Sequence, residues 1–223
     1  MMATLVRHVM RGLAPAGVPL AWRQLRYDRN RLIAATAGIA LAATAILFQT
    51  GTYNALFDGV ALQYGSLAED LVIHSANFRD LVVHKMFSRS RLMAVRADPD
   101  VMTTEGVTSN IALWRLPTGG IDQVLVFGID PSGTAFDNDE IRAERAWLAL
   151  PDTVLWDRLS LPEFGDVAAC LASGDRCPTE ANSIRFHFRG TFEIGISFTA
   201  NGQAVMSRDG FDRVFPDSID IGY

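Results

Sequence analysis

The feature that most constrains this chain is an uncharged, largely apolar run of 26 residues at positions 32–57, LIAATAGIALAATAILFQTGTYNALF. As a helix rising about 1.5 Å per residue it would be roughly 39 Å long, against a bilayer hydrocarbon core of about 30 Å. The small residues Ala34, Gly38, Ala42 and Ala45 form a stripe that suits close packing on other membrane helices. The sequence therefore predicts a transmembrane helix over residues 32–57.

The charges on the two sides of this run are opposite in sign. Residues 1–57 carry six arginines and one acid, a net charge of +5, and residues 58–223 carry 14 basic residues against 24 acids, a net charge of −10. The positive-inside rule places the N-terminus in the cytoplasm and residues 58–223 outside. A nucleic-acid-binding domain is excluded, because it would need a basic stripe on the folded body.

Two other interpretations of the apolar run remain open. A buried core helix is one, although such helices rarely stay uncharged for 26 residues. A cleaved signal peptide is the other, but its basic region of about 31 residues would be long, and no small-x-small cleavage site follows the apolar core cleanly. We favour an uncleaved anchor.

The basic segment before the run, PLAWRQLRYDRNR at 19–31, has apolar residues near helical spacing and arginines between them. With Trp22 and Tyr27, this pattern predicts a short amphipathic helix lying on the inner face of the membrane. An ordinary basic flank that obeys the topology rule explains the same residues equally well. Residues 1–31 are thus expected to be a cytoplasmic basic tail.

Residues 58–223 have the pattern of a folded domain. The whole chain has 49% hydrophobic and 20% charged residues, which excludes a disordered or collagen-like protein. Strands and short helices alternate without a regular βαβ rhythm, so the fold class is α+β. The first expected elements are a strand at 70–75, a helix at 88–97 and a hairpin of strands at 107–116 and 123–129 around a turn at 117–120. A polar loop into a short helix at 131–145 and a strand at 153–156 follow. The last expected elements are strands at 183–198 and 203–206 joined by an Asn201–Gly202 turn, a helical turn at 209–215 and an extended run at 219–222.

The two cysteines, Cys170 and Cys177, enclose the short loop LASGDR. Outside the cytoplasm, two cysteines this close most simply form a disulfide. A redox or metal pair would instead want a C-x-x-C spacing or a nearby histidine. The spacing does not fit that alternative.

The sequence offers no candidate catalytic, cofactor-binding or metal-binding residues. The histidines, His8, His74, His84 and His187, lack the spacing of a metal motif, and the four acids of residues 137–144 are expected to be a solvated face. No G-x-S-x-G elbow, P-loop or G-x-G-x-x-G motif is present. We therefore expect a protein that is not an enzyme and takes no cofactor, and any ATP-driven work would need a partner chain.

Several long stretches resemble the start of an ABC-transporter permease of the MacB/FtsX-like superfamily, and more narrowly the DevC-like group of exporter permeases. No single short motif among them is diagnostic, but together they span nearly the whole chain from Pro19 onward. These stretches are PLAWRQLRYDRNRLIAATAGIALA at 19–42, ALFDGVALQYGSLAEDLVIHS at 55–75, MFSRSRLMAVRADPDV at 86–101, LPDTVLWDRLSLPEFG at 150–165 and FEIGISFTANGQAVMS at 192–207.

The resemblance implies more than the residues do. Such permeases sit in the bacterial inner membrane, have four membrane helices and carry a MacB-like periplasmic domain between the first and second. They form homodimers, are driven by a separate ABC ATPase subunit, and work with a periplasmic membrane-fusion adaptor and an outer-membrane channel. The DevC-like group implies a lipid or glycolipid-type substrate, and no site residues can be carried over.

This chain departs from that pattern because it ends at Tyr223 without a second, third or fourth apolar segment. We therefore expect it to be the N-terminal portion of a permease, with a periplasmic domain, residues 58–223, that is incomplete at its C-terminus. The alternative is a single-pass membrane-anchored periplasmic binding or assembly domain. A membrane-anchored hydrolase is the least favoured interpretation, because the nucleophile and base arrangements are missing.

Overall fold

The computed structural model describes residues 27–68, 70–74, 89–174, 177–196 and 199–216. The chain divides into two compact units, Met1–Ala55 and Leu56–Tyr223. Each unit is described by itself below. The predicted boundaries at 31 and 57 stay predictions.

Helix α1, Arg29–Gly65, is 37 residues long and contains the whole predicted membrane segment. It begins behind Asp28, whose Oδ1 accepts the Arg31 N–H at 3.2 Å, as an N-terminal capping residue does. Large apolar side chains such as Ile39 and Phe48 are exposed along it. Within the described residues, Arg29–Gln63 is a helix long and apolar enough to cross a membrane, with a mean hydropathy of 1.9 over its most apolar window.

In the described part of the second unit, short helices are mixed with six strands. The further helices are α2 (Arg89–Arg96), α3 (Asp139–Glu144), α4 (Val167–Ala172) and α5 (Arg208–Val214), with 3₁₀ turns at Arg145–Ala149 and Pro162–Phe164. The strands are β1 (Thr108–Arg115), β2 (Ile121–Ile129), β3 (Thr153–Asp157), β4 (Pro178–Ala181), β5 (Ile184–Phe192) and β6 (Gly202–Ser207). The α+β class expected from the sequence is confirmed.

The six strands close into a barrel in the order β1-β2-β6-β3-β5-β4. The β2–β6 and β3–β5 pairs are parallel and the other pairs are antiparallel. The seam between β1 and β4 is short, since Trp114 pairs with Ala181 there. This order places β2, β6 and β3 side by side.

β3, β6 and residues 124–129 of β2 are buried on both faces, which explains their nearly continuous apolar sequences. Alternate residues such as Val126 and Trp156 point into a barrel interior to which all six strands contribute. The residues between them, such as Leu125 and Leu155, belong to a second cluster on the outer face, covered by α3 and the 3₁₀ turn that follows it. Trp114 and Trp156 contact each other in this interior cluster, with ring centroids 5.3 Å apart and ring planes tilted by 44°.

Side-chain caps set the starts of the three short helices that follow β2. Asn138 Oδ1 accepts the N–H groups of Glu140 and Ile141 at the start of α3. Asp166 caps α4 through the Ala169 N–H, and Ser207 caps α5. Asn, Asp and Ser are the preferred N-cap residues, so the local sequence is sufficient to start these helices.

Two predictions about strands are wrong. Residues 70–74 carry no strand, although Leu71 to Ile73 are apolar and β-prone. Asn201–Gly202 does not join a hairpin, because β5 pairs with β3 and β4 whereas β6 pairs with β2 and β3. The strand expected at 183–198 ends at Phe192, and α4 and β4 were not predicted.

Other predictions fall wholly or partly outside the described residues. Residues 19–26 of the amphipathic segment and the extended run at 219–222 are among them, as are His8 and His84. Residues 29–31, the end of the amphipathic segment, form the first turn of α1.

Candidate functional site

The last residues of α1 and those just after it contact the outer face of the barrel, a region we call the joint. Leu67 forms an isolated β-bridge with Phe136 and packs against the outer cluster. The Ala68 N–H donates to the Ala135 carbonyl at 3.1 Å, and the Asp137 N–H donates to the Ser66 carbonyl at 2.9 Å. All these residues belong to the second unit, so the joint is a feature of one compact body.

Gln63 is the central side chain of the joint. It is 3% exposed, and its Nε2 donates to the Gly195 carbonyl and to Gln203 Oε1, each at 2.9 Å. Gln203, near the start of β6, is fully buried. A glutamine near the end of a long apolar helix is thus tied to two parts of the barrel that lie more than 130 residues away in sequence.

Asp157, at the end of β3, holds the loop that Gln63 contacts. Its carboxylate is fully buried. Oδ2 accepts the Gly195 N–H at 2.7 Å and the Ile194 N–H at 3.2 Å, and Oδ1 accepts the Leu159 N–H at 2.8 Å. Burial raises the pKa of Asp157, and the three backbone donors offset only part of that effect. The carboxylate therefore fixes the backbone after β5 and β3 in one conformation.

Gly195 connects Asp157 to Gln63 because its two backbone polar groups bond to these two side chains. Its φ of +110° lies in a region that side chains rarely adopt. A Cβ at this position would also stand 2.9 Å from Leu62 Cδ2. Any other residue here would strain the backbone and push the Leu62 side chain aside.

A second candidate site is an apolar groove formed by Leu67, residues 70–73, α2, residues 100–105 and Val107. It encloses about 360 Å³ and is lined mainly by aliphatic side chains, with the carboxylates of Asp70, Asp100 and Glu105 among them. Leu71 and Met102 are 77% and 98% exposed, which leaves much apolar surface open to solvent. Grooves of this size and lining are typical of sites for small apolar ligands.

Three of the four acidic residues of the 137–144 segment, Asp137, Asp139 and Glu140, take part in ion pairs. Arg158 joins Glu140 and Glu193 at 3.0 Å each, and the hydrogen bond that Arg158 donates to Glu140 is the main reason that the pKa of Arg158 is raised. Asp137 and Asp139 are mostly exposed and pair with Arg142. Exposed pairs of this kind contribute little to stability.

Two histidines lie within the described residues. His187 lies beside Asp152, with Nδ1 and Oδ2 3.7 Å apart, and His74 lies in the irregular segment beside the groove. In the part of the chain that the structure describes, no three His, Cys, Asp or Glu side chains could share a metal ion.

The structure pairs Cys170 and Cys177 in a disulfide, as their spacing predicts. The bond ties α4 to the residue that precedes β4, with the two Cα atoms 6.0 Å apart. Cys177 is buried and belongs to the barrel interior cluster. The disulfide therefore fastens the shortest strand of the barrel at its seam.

The residues of the joint were missed at the level of the sequence. Gln63, Gln203 and Gly195 carry no motif, and each looks like an isolated residue within an apolar segment. The one hint in the sequence is Asp157, an acid directly after the apolar run of β3. The sequence does not show that this acid is buried, and its zero exposure is seen only in the structure.

No protein-family model matches the chain, and no curated protein matches it. Among solved structures, the chain is similar to the extracellular domain of the noncanonic ABC-type transporter YknZ from Gram-positive bacteria, at a TM-score of 0.41 and 9% identity, over 61% of this chain and 70% of that one. It is also similar to the periplasmic region of MacB from Actinobacillus actinomycetemcomitans, at a TM-score of 0.36 and 11% identity, over 62% of this chain and 64% of that one. Both TM-scores lie below 0.5, where a likeness does not establish a shared fold.

Proposed function

We propose that this chain is a permease subunit of an ATP-driven ABC exporter, of the DevC-like group within the MacB/FtsX-like superfamily. The observation that carries the proposal is the helix α1, whose apolar length suits a membrane and whose last turns are hydrogen-bonded to a folded α+β barrel. The resemblance of five stretches between residues 19 and 207 supports the same family.

The proposed topology puts the N-terminus in the cytoplasm and the barrel on the far side of the bacterial inner membrane. The arginines before α1 and the acidic excess after it support this orientation. The disulfide between Cys170 and Cys177 supports an oxidising compartment for the barrel, which is the periplasm in such a cell.

In the proposed mechanism the chain couples ATP hydrolysis by a separate ATPase subunit to work on the periplasmic side. A movement of α1 would reach the barrel through Gln63 and the backbone pairs of the joint. A periplasmic membrane-fusion adaptor and a second copy of the permease complete the proposed assembly. The chain itself would have no catalytic role.

The proposed substrate is a lipid or glycolipid-type molecule. The groove beside α2 supports this class, because its aliphatic side chains would shelter an acyl chain from water. The polar headgroup of the substrate would stay in water, near the carboxylates of the groove.

The test is to purify the tagged full chain from its native membrane under mild conditions after cross-linking and to identify its partners by mass spectrometry. We expect an ABC ATPase to co-purify and its ATP hydrolysis to change when the permease is added back. A chain that purifies alone and retains its cellular role in cells lacking any such ATPase would refute the proposal.

That outcome would favour a single-pass anchored periplasmic binding or assembly domain. The observation behind this second candidate is that, within the described residues, α1 is the one helix suited to cross a membrane.

A further inference from the structure

We infer that the Gln63–Gln203 amide pair is a releasable latch, through which the end of α1 detaches from the barrel while the barrel itself stays folded. The inference rests on the hydrogen bonding of the joint and does not depend on the transport function proposed above.

The first support is that the pair is buried but incompletely hydrogen-bonded. Gln63 and Gln203 are 3% and 0% exposed. One amide atom of each, Gln63 Oε1 and Gln203 Nε2, has no hydrogen-bond partner among the described residues. Buried polar atoms without partners favour any conformation that returns them to water. The closed joint therefore contains a built-in tendency to open.

The second support is that opening would break few interactions. Among the described residues, the joint contains, besides the Gln63 bonds, the Leu67–Phe136 bridge, the packing of Leu67 on the outer cluster and the backbone bonds of Ala68 and Asp137. The adjacent barrel strands β2 and β6 are instead paired over six consecutive residues and are buried on both faces. Local opening commonly occurs where such interactions are few.

The third support is that Asp157 keeps the loop at Gly195 attached to the barrel when the helix end detaches. Asp157 accepts the Gly195 N–H at 2.7 Å, whereas Gln63 donates to the Gly195 carbonyl at 2.9 Å. Breaking the Gln63 bonds leaves the loop after β5 fastened to β3 through Asp157. The end of α1 thus detaches while the loop keeps its position on the barrel. The Gly195 carbonyl and the side-chain amides of Gln63 and Gln203 then become hydrated.

This geometry predicts a distinct pattern of amide hydrogen exchange. The Ala68 and Asp137 N–H groups donate across the joint, so the latch exposes them when it opens. The Gly195 N–H donates to Asp157 and stays protected in the open state. In the full chain in lipid nanodiscs, we expect the first two amides to exchange at least roughly tenfold faster than Gly195 and the amides of β6.

Methionine substitutions test the role of the amide groups, because methionine resembles glutamine in length and flexibility but lacks the polar atoms. Gln63→Met removes one partner and leaves the Gly195 carbonyl and the Gln203 amide unpaired, so exchange at Ala68 and Asp137 should rise about tenfold. The double variant with Gln203→Met removes both amides and leaves only the Gly195 carbonyl unpaired, so exchange should fall back toward the wild-type rate. Gln123→Met, at the exposed start of β2, is the matched control and should change nothing.

Two results would overturn the latch. If Ala68 and Asp137 exchange no faster than the β6 amides in the wild type, the joint opens only when the barrel unfolds. If the double variant exchanges as fast as Gln63→Met, the pair is a structural hydrogen bond with no tendency to release. Neither measurement uses ATP or substrate, so failure of the latch and failure of the permease proposal are distinguishable.

Discussion

Replacement of Asp157 should destabilise the barrel more than replacement of any exposed acid. Its carboxylate has zero exposure and accepts three backbone N–H groups, from Leu159, Ile194 and Gly195. Asp157→Ala would leave all three donors without an acceptor in a place that water reaches poorly. Asp157→Asn keeps one carbonyl oxygen and turns an N–H₂ group toward the remaining donors.

The expected magnitude follows from the number of donors. A buried donor that loses its partner costs about 1–3 kcal/mol. Release of the buried charge offsets part of this loss, because burial raises the pKa of Asp157 in spite of its three hydrogen bonds. We therefore expect Asp157→Ala to lower the free energy of unfolding by about 3 kcal/mol and Asp157→Asn by roughly half as much.

The raised pKa also fixes the sign of a pH effect. A carboxyl whose pKa is higher in the folded than in the unfolded protein contributes stability below its unfolded pKa of about 3.9, and this contribution is lost as the pH rises through the folded pKa. Wild type should therefore gain stability relative to Asp157→Asn as the pH falls from 7 toward 4. The other carboxyl groups are common to both proteins and cancel in the difference.

The assay is urea unfolding of the full chain in nanodiscs, followed by tryptophan fluorescence, since Trp114 and Trp156 are buried in the barrel. Asp139→Asn is the matched control, because Asp139 is 93% exposed, and its free energy of unfolding should stay within about 0.5 kcal/mol of wild type. A loss below about 1 kcal/mol for Asp157→Ala would refute the argument that this carboxylate is the acceptor for all three donors.

Three further predictions concern other parts of the chain. Replacing Cys170 and Cys177 by serine should lower the free energy of unfolding by about 2.5 kcal/mol, since the disulfide spans seven residues, and a reductant should have the same effect on wild type in urea titrations. Replacing Gly38 and Ala42 by leucine should abolish export without preventing membrane insertion if these positions pack on other helices; unchanged export would indicate a mere anchor. Val101→Asp places a charge in the apolar lining of the groove, so photo-cross-linking of a diazirine-labelled acyl chain to residues 92–107 should fall at least roughly fivefold. Equal labelling of the variant and the wild type would argue against a lipid site there.

The elements that the sequence predicted correctly are those whose cause is local. The β1–β2 hairpin follows from two β-prone runs around Pro117 to Gly120, and its register runs from Thr108 opposite Gly128 to Arg115 opposite Ile121. Helix α3 follows from its cap at Asn138, and α5 follows from Ser207. In each case the signal and the structure lie within about 20 residues of each other.

The predictions that were wrong depended on partners that sequence patterns do not identify. The Asn201–Gly202 pair is a strong hairpin signal, but a hairpin also needs the preceding strand to pair with the following one. Here Asp157 takes the N–H groups of Ile194 and Gly195, so the chain leaves the sheet after Phe192 and β6 enters beside β2. The apolar segment at 71–73 lines a groove and has no neighbouring strand among the described residues.

The amino-acid sequence by itself determined the apolar length of α1, the opposite charges on its two sides, the α+β class and the disulfide spacing. All of these depend on composition or on neighbours along the chain. Only the tertiary structure decided that the barrel closes and that Gln63, Asp157, Gly195 and Gln203 meet at one joint. Gln63 meets Gly195 and Gln203 across more than 130 positions of sequence, and contacts that distant leave no periodic trace in the sequence.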